Sequence, residues 1–274
     1  MYGGPATAGK TQHLESSIPL ILIIILAIFI AGNFGFINFS DVPLLNQVFG
    51  GKIIKVGVVG RITPEMKTML VSEEARTTGI YYGTGDGLRP DQLFGGVLKP
   101  FDIIIMQGQQ VCDRSARKTV TDWVKSGGKL IVVGDACTRV TDDPAALGWD
   151  VGIGLLGDVM PAQIGGVTPE REPITTGCAS GRFKFINPDH PIGSGIKNFQ
   201  FSGRTINVFP TSNSQLIATI DCSDTGRVSA PATYAILESS GILTGKVVYF
   251  AHDPGTTSRN MFLNTLKYLK SQRG

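Results

Sequence analysis

The sequence has little charge, and the shortage is concentrated near its start. Asp, Glu, Lys and Arg make up 17% of the 274 residues, whereas soluble globular chains carry about 25%. No charged residue occurs from Ser16 to Ser40, so Lys10 and Glu15 hold the only formal charges in the first forty positions. This distribution excludes a simple soluble enzyme and an intrinsically disordered chain. The charges scattered over residues 41–274 exclude a transporter with many spans.

The uncharged stretch predicts a transmembrane helix over residues 17–38. Its core, Ile18–Ala31, is almost entirely Ile, Leu, Ala and Phe, and about 20 helical residues cross a hydrocarbon layer of roughly 30 Å. Lys10 precedes the span, whereas no basic residue follows it before Lys52. The positive-inside rule therefore favours an amino terminus in the cytoplasm and a large domain outside it.

Two other interpretations of this apolar stretch stay open. A cleaved signal peptide would have a short apolar region after a basic start, whereas this run is long and one Lys and one Glu precede it. Glu15 just before the run is typical of pilin leaders, but the Gly that usually precedes the cleavage point is not in place, since the pair there is Gly9-Lys10. We favour an uncleaved signal anchor.

Clustered metal ligands are also missing. The four cysteines and three histidines form no CxxC pair and no Cys/His cluster, so a zinc site is not supported. In a domain outside the cytoplasm, four cysteines suit two disulfides. Cys112 and Cys137 each follow a predicted strand. If those strands are parallel neighbours, the two cysteines share a sheet edge and can pair, which leaves Cys178 for Cys222. Four buried free thiols are the alternative, expected if the domain faces the cytoplasm.

Alternating strand and helix signals predict an open α/β domain. Continuous apolar runs indicate strands buried on both faces, and segments with helical spacing separate them. In the first half, the predicted strands are Ile53–Val59, Ile80–Tyr82, Phe101–Met106 and Leu130–Val133, and the predicted helices are Pro64–Thr77 and Asp113–Ser126. A mostly parallel, flavodoxin-like sheet flanked by helices follows from this alternation.

The second half of the sequence has a less regular pattern of apolar residues. Residues 144–204 are rich in Gly and Pro and show little periodicity. Strands that include an antiparallel part are predicted at Arg182–Ile186, Thr205–Phe209, Gln215–Ile220, Thr233–Glu238 and Lys246–Phe250, and a final helix at Ser258–Lys270. The chain then divides into a tail, a transmembrane helix, a linker and one α/β domain, at residues 1–16, 17–38, 39–51 and 52–274.

Several segments carry a family resemblance through their order and spacing. They are Val56–Gly60, FDIIIMQGQ at 101–109, WVKSGGKLIVVGDA at 123–136, NPDHPIGSGI at 187–196 and GKVVYFAHDPG at 245–255, before a final helix that contains Asn264. Together they resemble the class I glutamine amidotransferase-like superfamily, and more closely its ThuA-like and membrane-associated branches without amidotransferase activity. The resemblance covers most of residues 53–270 and implies the amidotransferase-like fold.

The catalytic residues of the amidotransferases carry over poorly. Those enzymes place a nucleophilic Cys in a sharp strand-to-helix turn with the pattern Gly-x-Cys-x-Gly. Here the turn is Gly134-Asp135-Ala136-Cys137-Thr138, so the cysteine comes one position late and the second glycine is missing. The family's His precedes Pro and Glu, whereas His252 precedes Asp253 and Pro254. In an enzyme, Cys137, His252 and Asp253 would be nucleophile, base and orienting partner.

Other polar residues are candidates for ligand binding. Gln107, Gln109 and Asp135 fall at carboxyl ends of predicted parallel strands, where open α/β sheets bind ligands, and they could hydrogen-bond a sugar or a peptide. His190 lies in a loop that the resemblance places near this site. No phosphate-binding glycine pattern occurs, so we expect no cofactor. The net charge of +3 is too small and too dispersed to indicate a nucleic-acid partner.

These features predict a single-pass membrane protein whose extracytoplasmic domain is non-catalytic. Its role would be binding or assembly, as a subunit of a membrane or cell-envelope complex, with a second copy as a further candidate partner. One alternative is an extracytoplasmic Cys-dependent amidase or carbohydrate-active enzyme, which requires a free Cys137 beside His252. The other is a pilin-like filament subunit, which requires processing near Lys10.

Overall fold

A computed structural model of the protein describes residues 53–85, 87–150, 156–165, 178–223, 232–239 and 245–272. The predicted tail, transmembrane helix and linker lie outside these residues. Within them, no helix is both long enough and apolar enough to cross a membrane.

The strands and helices of this part of the chain are numbered in chain order. Strands β1–β14 are Ile54–Gly60, Ile80–Tyr82, Ile103–Gln107, Val111–Cys112, Lys129–Val133, Arg139–Val140, Asp143–Leu147, Ala162–Ile164, Ser180–Phe185, Phe199–Ser202, Val208–Pro210, Ser214–Cys222, Ala232–Ser239 and Val247–Phe250. Helices α1–α5 are Pro64–Leu70, Glu73–Thr77, Arg114–Lys125, Pro254–Thr257 and Arg259–Ser271. Short 3-10 helices occupy Pro90–Gln92, Leu156–Asp158 and Pro191–Gly193.

The apolar runs form the parallel half of a nine-stranded sheet. Its order is β10-β9-β12-β13-β14-β5-β3-β1-β2, and every pairing from β14 to β2 is parallel. All residues of β3, β5 and β14 are buried, as expected for central strands covered on both faces. The predicted parallel pairing of β3 with β5 is confirmed.

The other half of the sheet is antiparallel, so the whole sheet is mixed. Strands β13, β12, β9 and β10 extend it beyond β14 through antiparallel pairs. The predicted strand Thr205–Phe209 does not join this sheet. Its last residues belong to β11, which pairs with β8 in a separate two-stranded sheet. Strands β4, β6 and β7 form a third, small sheet.

Helix boundaries follow local capping. The predicted helix Pro64–Thr77 is divided into α1 and α2, because Ser72 adopts an extended conformation and its hydroxyl accepts a hydrogen bond from the Ala75 amide. The hydroxyl of Ser258 accepts from the amide of Met261 and starts α5. Pro90–Gln92 forms only a short 3-10 helix.

Each face of the sheet has its own core. Alternate side chains of β3 point to opposite faces, so that Ile105 joins one buried cluster and Ile104 the other. Residues of α1 and α5, such as Met66 and Leu266, belong to the first cluster. Residues of α3, such as Val120, belong to the second. We call these faces the α5 side and the α3 side.

Two disulfides tie loops to the sheet. Cys112 of β4 is bonded to Cys137, which follows β5. Cys178 is bonded to Cys222 of β12. Two disulfides are therefore present, in the pairing that the sequence offered as a candidate, and no cysteine is free. Disulfides persist in oxidising compartments, so the two bonds indicate an environment outside the cytoplasm.

Candidate functional site

Loops at the carboxyl ends of the parallel strands lie side by side. The amide of Arg61 after β1 donates to the Gln107 carbonyl over 2.8 Å, and the amide of Gly134 after β5 donates to the Phe250 carbonyl over 2.8 Å. The backbone amide of Cys137, in the loop after β5, donates to the carbonyl of Gln109, in the loop after β3, over 2.7 Å. This edge therefore gathers five of the predicted site residues, Gln107, Gln109, Asp135, Cys137 and His252, although not on one face.

The turn after β5 does not have the geometry of a nucleophile turn. Cys137 has a φ of 53°, and it is the one non-glycine residue with positive φ in the described part of the chain. The turn leads into the short strand β6 rather than a helix. The sulfur of Cys137 is bonded to Cys112, and the residue is 1% exposed. In this form Cys137 offers no thiolate for attack.

Backbone donors of the same turn are already used. The amides of Gly134 and Cys137 donate to Phe250 and Gln109, and the amide of Thr138 donates to the Asp135 carbonyl over 3.2 Å. Acyl-transfer enzymes need N–H groups that are free to bind a developing oxyanion. These three amides cannot serve in that way without breaking the turn.

Two buried side chains support the turn from the α3 side. A guanidinium nitrogen of Arg117 donates to the Cys137 carbonyl over 2.7 Å, and the indole of Trp149 donates to the Ala136 carbonyl over 2.9 Å. Burial lowers the pKa of Arg117 to about 10, so it remains a cation at neutral pH. Sequence reasoning missed both residues. Arg117 could have been found from its helical spacing with Val120 and Val124, which places it on the buried face.

His252 is enclosed by aromatic rings. Its ring centroid lies 5.5 Å from those of Phe183 and Phe201 and 5.8 Å from that of Phe250, with edge-on geometry in each case. Neither imidazole nitrogen has a hydrogen-bond partner among the described residues. Burial lowers the pKa of His252 from 6.5 to about 3, so the ring is neutral at physiological pH.

His252 and Cys137 belong to opposite faces of the sheet. The rings of Phe183, Phe201 and Phe250 are part of the α5-side cluster, whereas Cys137 is part of the α3-side cluster. Asp253 does not orient the imidazole. Its Oδ1 accepts from the Gly255 amide over 2.8 Å and caps α4. The arrangement needed for the conditional Cys–His–Asp assignment is therefore not assembled.

The remaining polar groups at this edge form a small hydrogen-bonding surface, which we call the carboxyl-edge site: Gln107, Gln109, Gln110 and Asp135. The side-chain amide of Gln110 donates to the half-buried carboxylate of Asp135. The side-chain nitrogen Nε2 of Gln109 donates to the Val111 carbonyl over 2.7 Å. Gln107 is buried, and its Oε1 has no hydrogen-bond partner in the described part of the chain. Gln110 was not predicted, although it immediately follows Gln109. Such groups can bind a ligand through hydrogen bonds but supply no nucleophile.

His190 lies in a different cluster. Its Nε2 is 3.3 Å from Glu238 Oε2. Glu238 Oε1 accepts from Lys246 over 2.6 Å and from the hydroxyl of Tyr268 over 2.9 Å. Glu238 is paired with Val248, near the start of β14, whereas the carboxyl-edge site follows the ends of the strands. Burial would raise the pKa of Glu238, but His190 and Lys246 outweigh it and lower that pKa.

Metal ligands do not gather anywhere in the described residues. No group of three or more His, Cys, Asp or Glu side chains there could hold an ion.

Comparisons with known proteins identify the fold. No protein-family model matches the chain, and no curated protein matches it in sequence. Among solved structures, a cytoplasmic protein of Salmonella typhimurium superposes with a TM-score of 0.53 at 12% identity, over 79% of this chain and 98% of its own. A protein of Bacteroides uniformis described as ThuA-like gives 0.53 at 11% identity, over 80% and 93%. The described domain therefore shares the fold of these two proteins, the second of which is described as ThuA-like.

Proposed function

We propose that the protein is a single-pass membrane protein whose ThuA-like domain is a non-catalytic binding or assembly subunit of a membrane or cell-envelope complex. The observation that carries the non-catalytic part is the Cys112–Cys137 disulfide, because it occupies the one sulfur that a family-type nucleophile would use. Two further observations support the same conclusion. The backbone amides of the turn already donate hydrogen bonds, and His252 lies in the core on the opposite face of the sheet.

The proposed location combines sequence and structure. Residues 17–38 would span the bilayer, and the two disulfides favour a domain on the oxidising side. A span followed by a stable domain of this kind suits a protein that works at the membrane surface.

The carboxyl-edge site is the surface that we propose for ligand or partner recognition. Asp135 and Gln110 are held in place by the disulfide and by hydrogen bonds between the β3 and β5 loops. A pre-organised pair of amide and carboxylate groups loses little entropy on binding. Its chemistry suits hydroxyl groups or peptide amides, which both donate and accept hydrogen bonds.

Affinity purification of the full chain from membranes of its own cells tests this proposal. The protein should float with membrane vesicles and co-purify with a defined envelope protein. A Gln110→Ala/Asp135→Ala variant should lose that partner, whereas Gln200→Ala, at an exposed position of β10, should keep it. Substitution of Cys137 or His252 that abolishes a measurable hydrolysis, with folding intact, would overturn the proposal.

A further inference from the structure

An exposed patch of mixed apolar and basic character lies at the amino ends of β1 and β2. Lys55 is the Cα partner of Tyr81 across the two strands, and both side chains are exposed. Ile53 lies two residues before Lys55 and so shares its face. Ile53 and Tyr81 are each 61% exposed. Lys99 follows at the same edge, three residues before Asp102, whose amide donates to the Lys55 carbonyl. We call Ile53, Lys55, Tyr81 and Lys99 the amino-edge patch.

The composition of the patch is unusual for a surface that faces only water. Two large exposed side chains, Ile53 just before β1 and Tyr81 in β2, lie at the edge of the nine-stranded sheet that β2 ends. No carboxylate of the described residues forms an ion pair with Lys55 or Lys99, although Asp102 accepts a hydrogen bond from the Lys55 amide. Tyr with neighbouring Lys and aliphatic residues is the composition of protein surfaces at a membrane interface.

The patch begins close in sequence to the proposed anchor. Ile53 is the first described residue, and the predicted transmembrane helix ends at residue 38. The intervening 14 positions, 39–52, can extend over at most about 50 Å. The carboxyl-edge site, by contrast, lies at the other end of the parallel strands.

We infer that the amino-edge patch rests on the headgroup layer of the membrane that holds the anchor, with Tyr81 and Ile53 in the interface and Lys55 and Lys99 near anionic lipid phosphates. This inference rests on the proposed membrane anchor. It assigns the carboxyl-edge site to partners that approach from the aqueous side. Each lysine near an anionic surface contributes about a fivefold preference for the docked state.

Lipid-proximity quenching in the full chain tests this contact. All four native cysteines are bonded in pairs, so a single introduced cysteine takes a fluorophore. Tyr81→Cys reports on the patch and Arg61→Cys, exposed at the carboxyl end of β1, is the matched control. Both proteins are reconstituted in vesicles of phosphatidylcholine and phosphatidylglycerol that contain a headgroup spin label. Flotation of the vesicles first establishes that the chain is anchored.

The expected result is stronger quenching at position 81 than at position 61, because docking holds position 81 near the spin-labelled headgroups. Adding Lys55→Glu and Lys99→Glu should reduce it, and vesicles of phosphatidylcholine alone should do the same. Equal quenching at both positions in a chain that floats would overturn the docking and leave the anchor intact. A fluorophore at position 81 that is shielded from iodide but not quenched by lipid would also overturn it, since a protein then covers the patch. A chain that does not float contradicts the proposed anchor itself.

Discussion

Replacing His252 by Phe should change how stability depends on pH. The pKa of His252 is lowered by burial from 6.5 to about 3, so between these values the unfolded chain binds a proton that the folded chain does not. Stability is therefore lost as pH falls below 6.5, at up to about 1.4 kcal/mol per pH unit. Between pH 7 and pH 5 the wild type should lose about 2 kcal/mol through this residue. His252→Phe removes the titrating group and keeps an aromatic ring among Phe183, Phe201 and Phe250.

Urea unfolding of the full chain in detergent, followed by tryptophan fluorescence at pH 7 and pH 5, measures this difference. On going from pH 7 to pH 5, the unfolding free energy of the variant should rise by about 2 kcal/mol relative to that of the wild type. Phe201→Leu is the control, because it weakens the packing around His252 but leaves the imidazole, so the pH dependence should persist. Parallel pH dependences of wild type and His252→Phe would refute the enclosed, neutral imidazole.

Three further predictions concern stability, each measured by the same unfolding assay. Cys112→Ala/Cys137→Ala should lower the unfolding free energy by about 3.5 kcal/mol, because the bond closes a loop of 25 residues in the unfolded chain. Cys178→Ala/Cys222→Ala should lower it by about 4 kcal/mol, because that loop has 44 residues. An unchanged unfolding free energy in either double variant would contradict the corresponding bond. Glu238→Gln should cost roughly 2 kcal/mol at pH 7 by leaving the partly buried Lys246 without its carboxylate. Because the pKa of Glu238 is lowered from 4.5, this contribution is present above pH 4.5 and is lost as pH falls through the folded-state pKa. A cost that does not decrease at all below pH 4.5 argues against it. Gly245→Ala should lower the unfolding free energy by at least about 1–3 kcal/mol, because the added Cβ would collide with the Gly128 carbonyl. Gly83→Ala is the control and should change the unfolding free energy little, because its Cβ would make only an ordinary contact with Tyr81.

The parallel half of the sheet could be predicted because its strands are short, continuous apolar runs. β3 and β5 are buried on every residue, and such runs have few other solutions in a domain of this size. The positions of Cys112 and Cys137 after these strands made their bond a candidate, but free thiols stayed an alternative until the strand order was known. Features set by a single polar contact were not visible, as in the division of the helix at Ser72, where one side-chain hydrogen bond decides the break.

The site was harder to predict because its contacts join distant parts of the chain. Phe183 and Phe201 approach His252 only after β9 and β10 add to the antiparallel half of the sheet. The imidazole of His190 contacts the carboxylate of Glu238, which lies 48 positions later in the sequence and belongs to the antiparallel half of the sheet. The sequence placed His252 and Cys137 each after a predicted strand, but the alternation that sends their side chains to opposite faces depends on the exact register.

The state of Cys137 in the native protein distinguishes a non-catalytic domain from a cysteine hydrolase. Membranes from the source cells are treated with an alkylating reagent under denaturing, non-reducing conditions, and the peptides are analysed by mass spectrometry. We expect Cys137 in a peptide linked to Cys112, with no alkylated form of either residue. An alkylated Cys137 would show that the thiol is free, and it would return the domain to the class of candidate cysteine hydrolases.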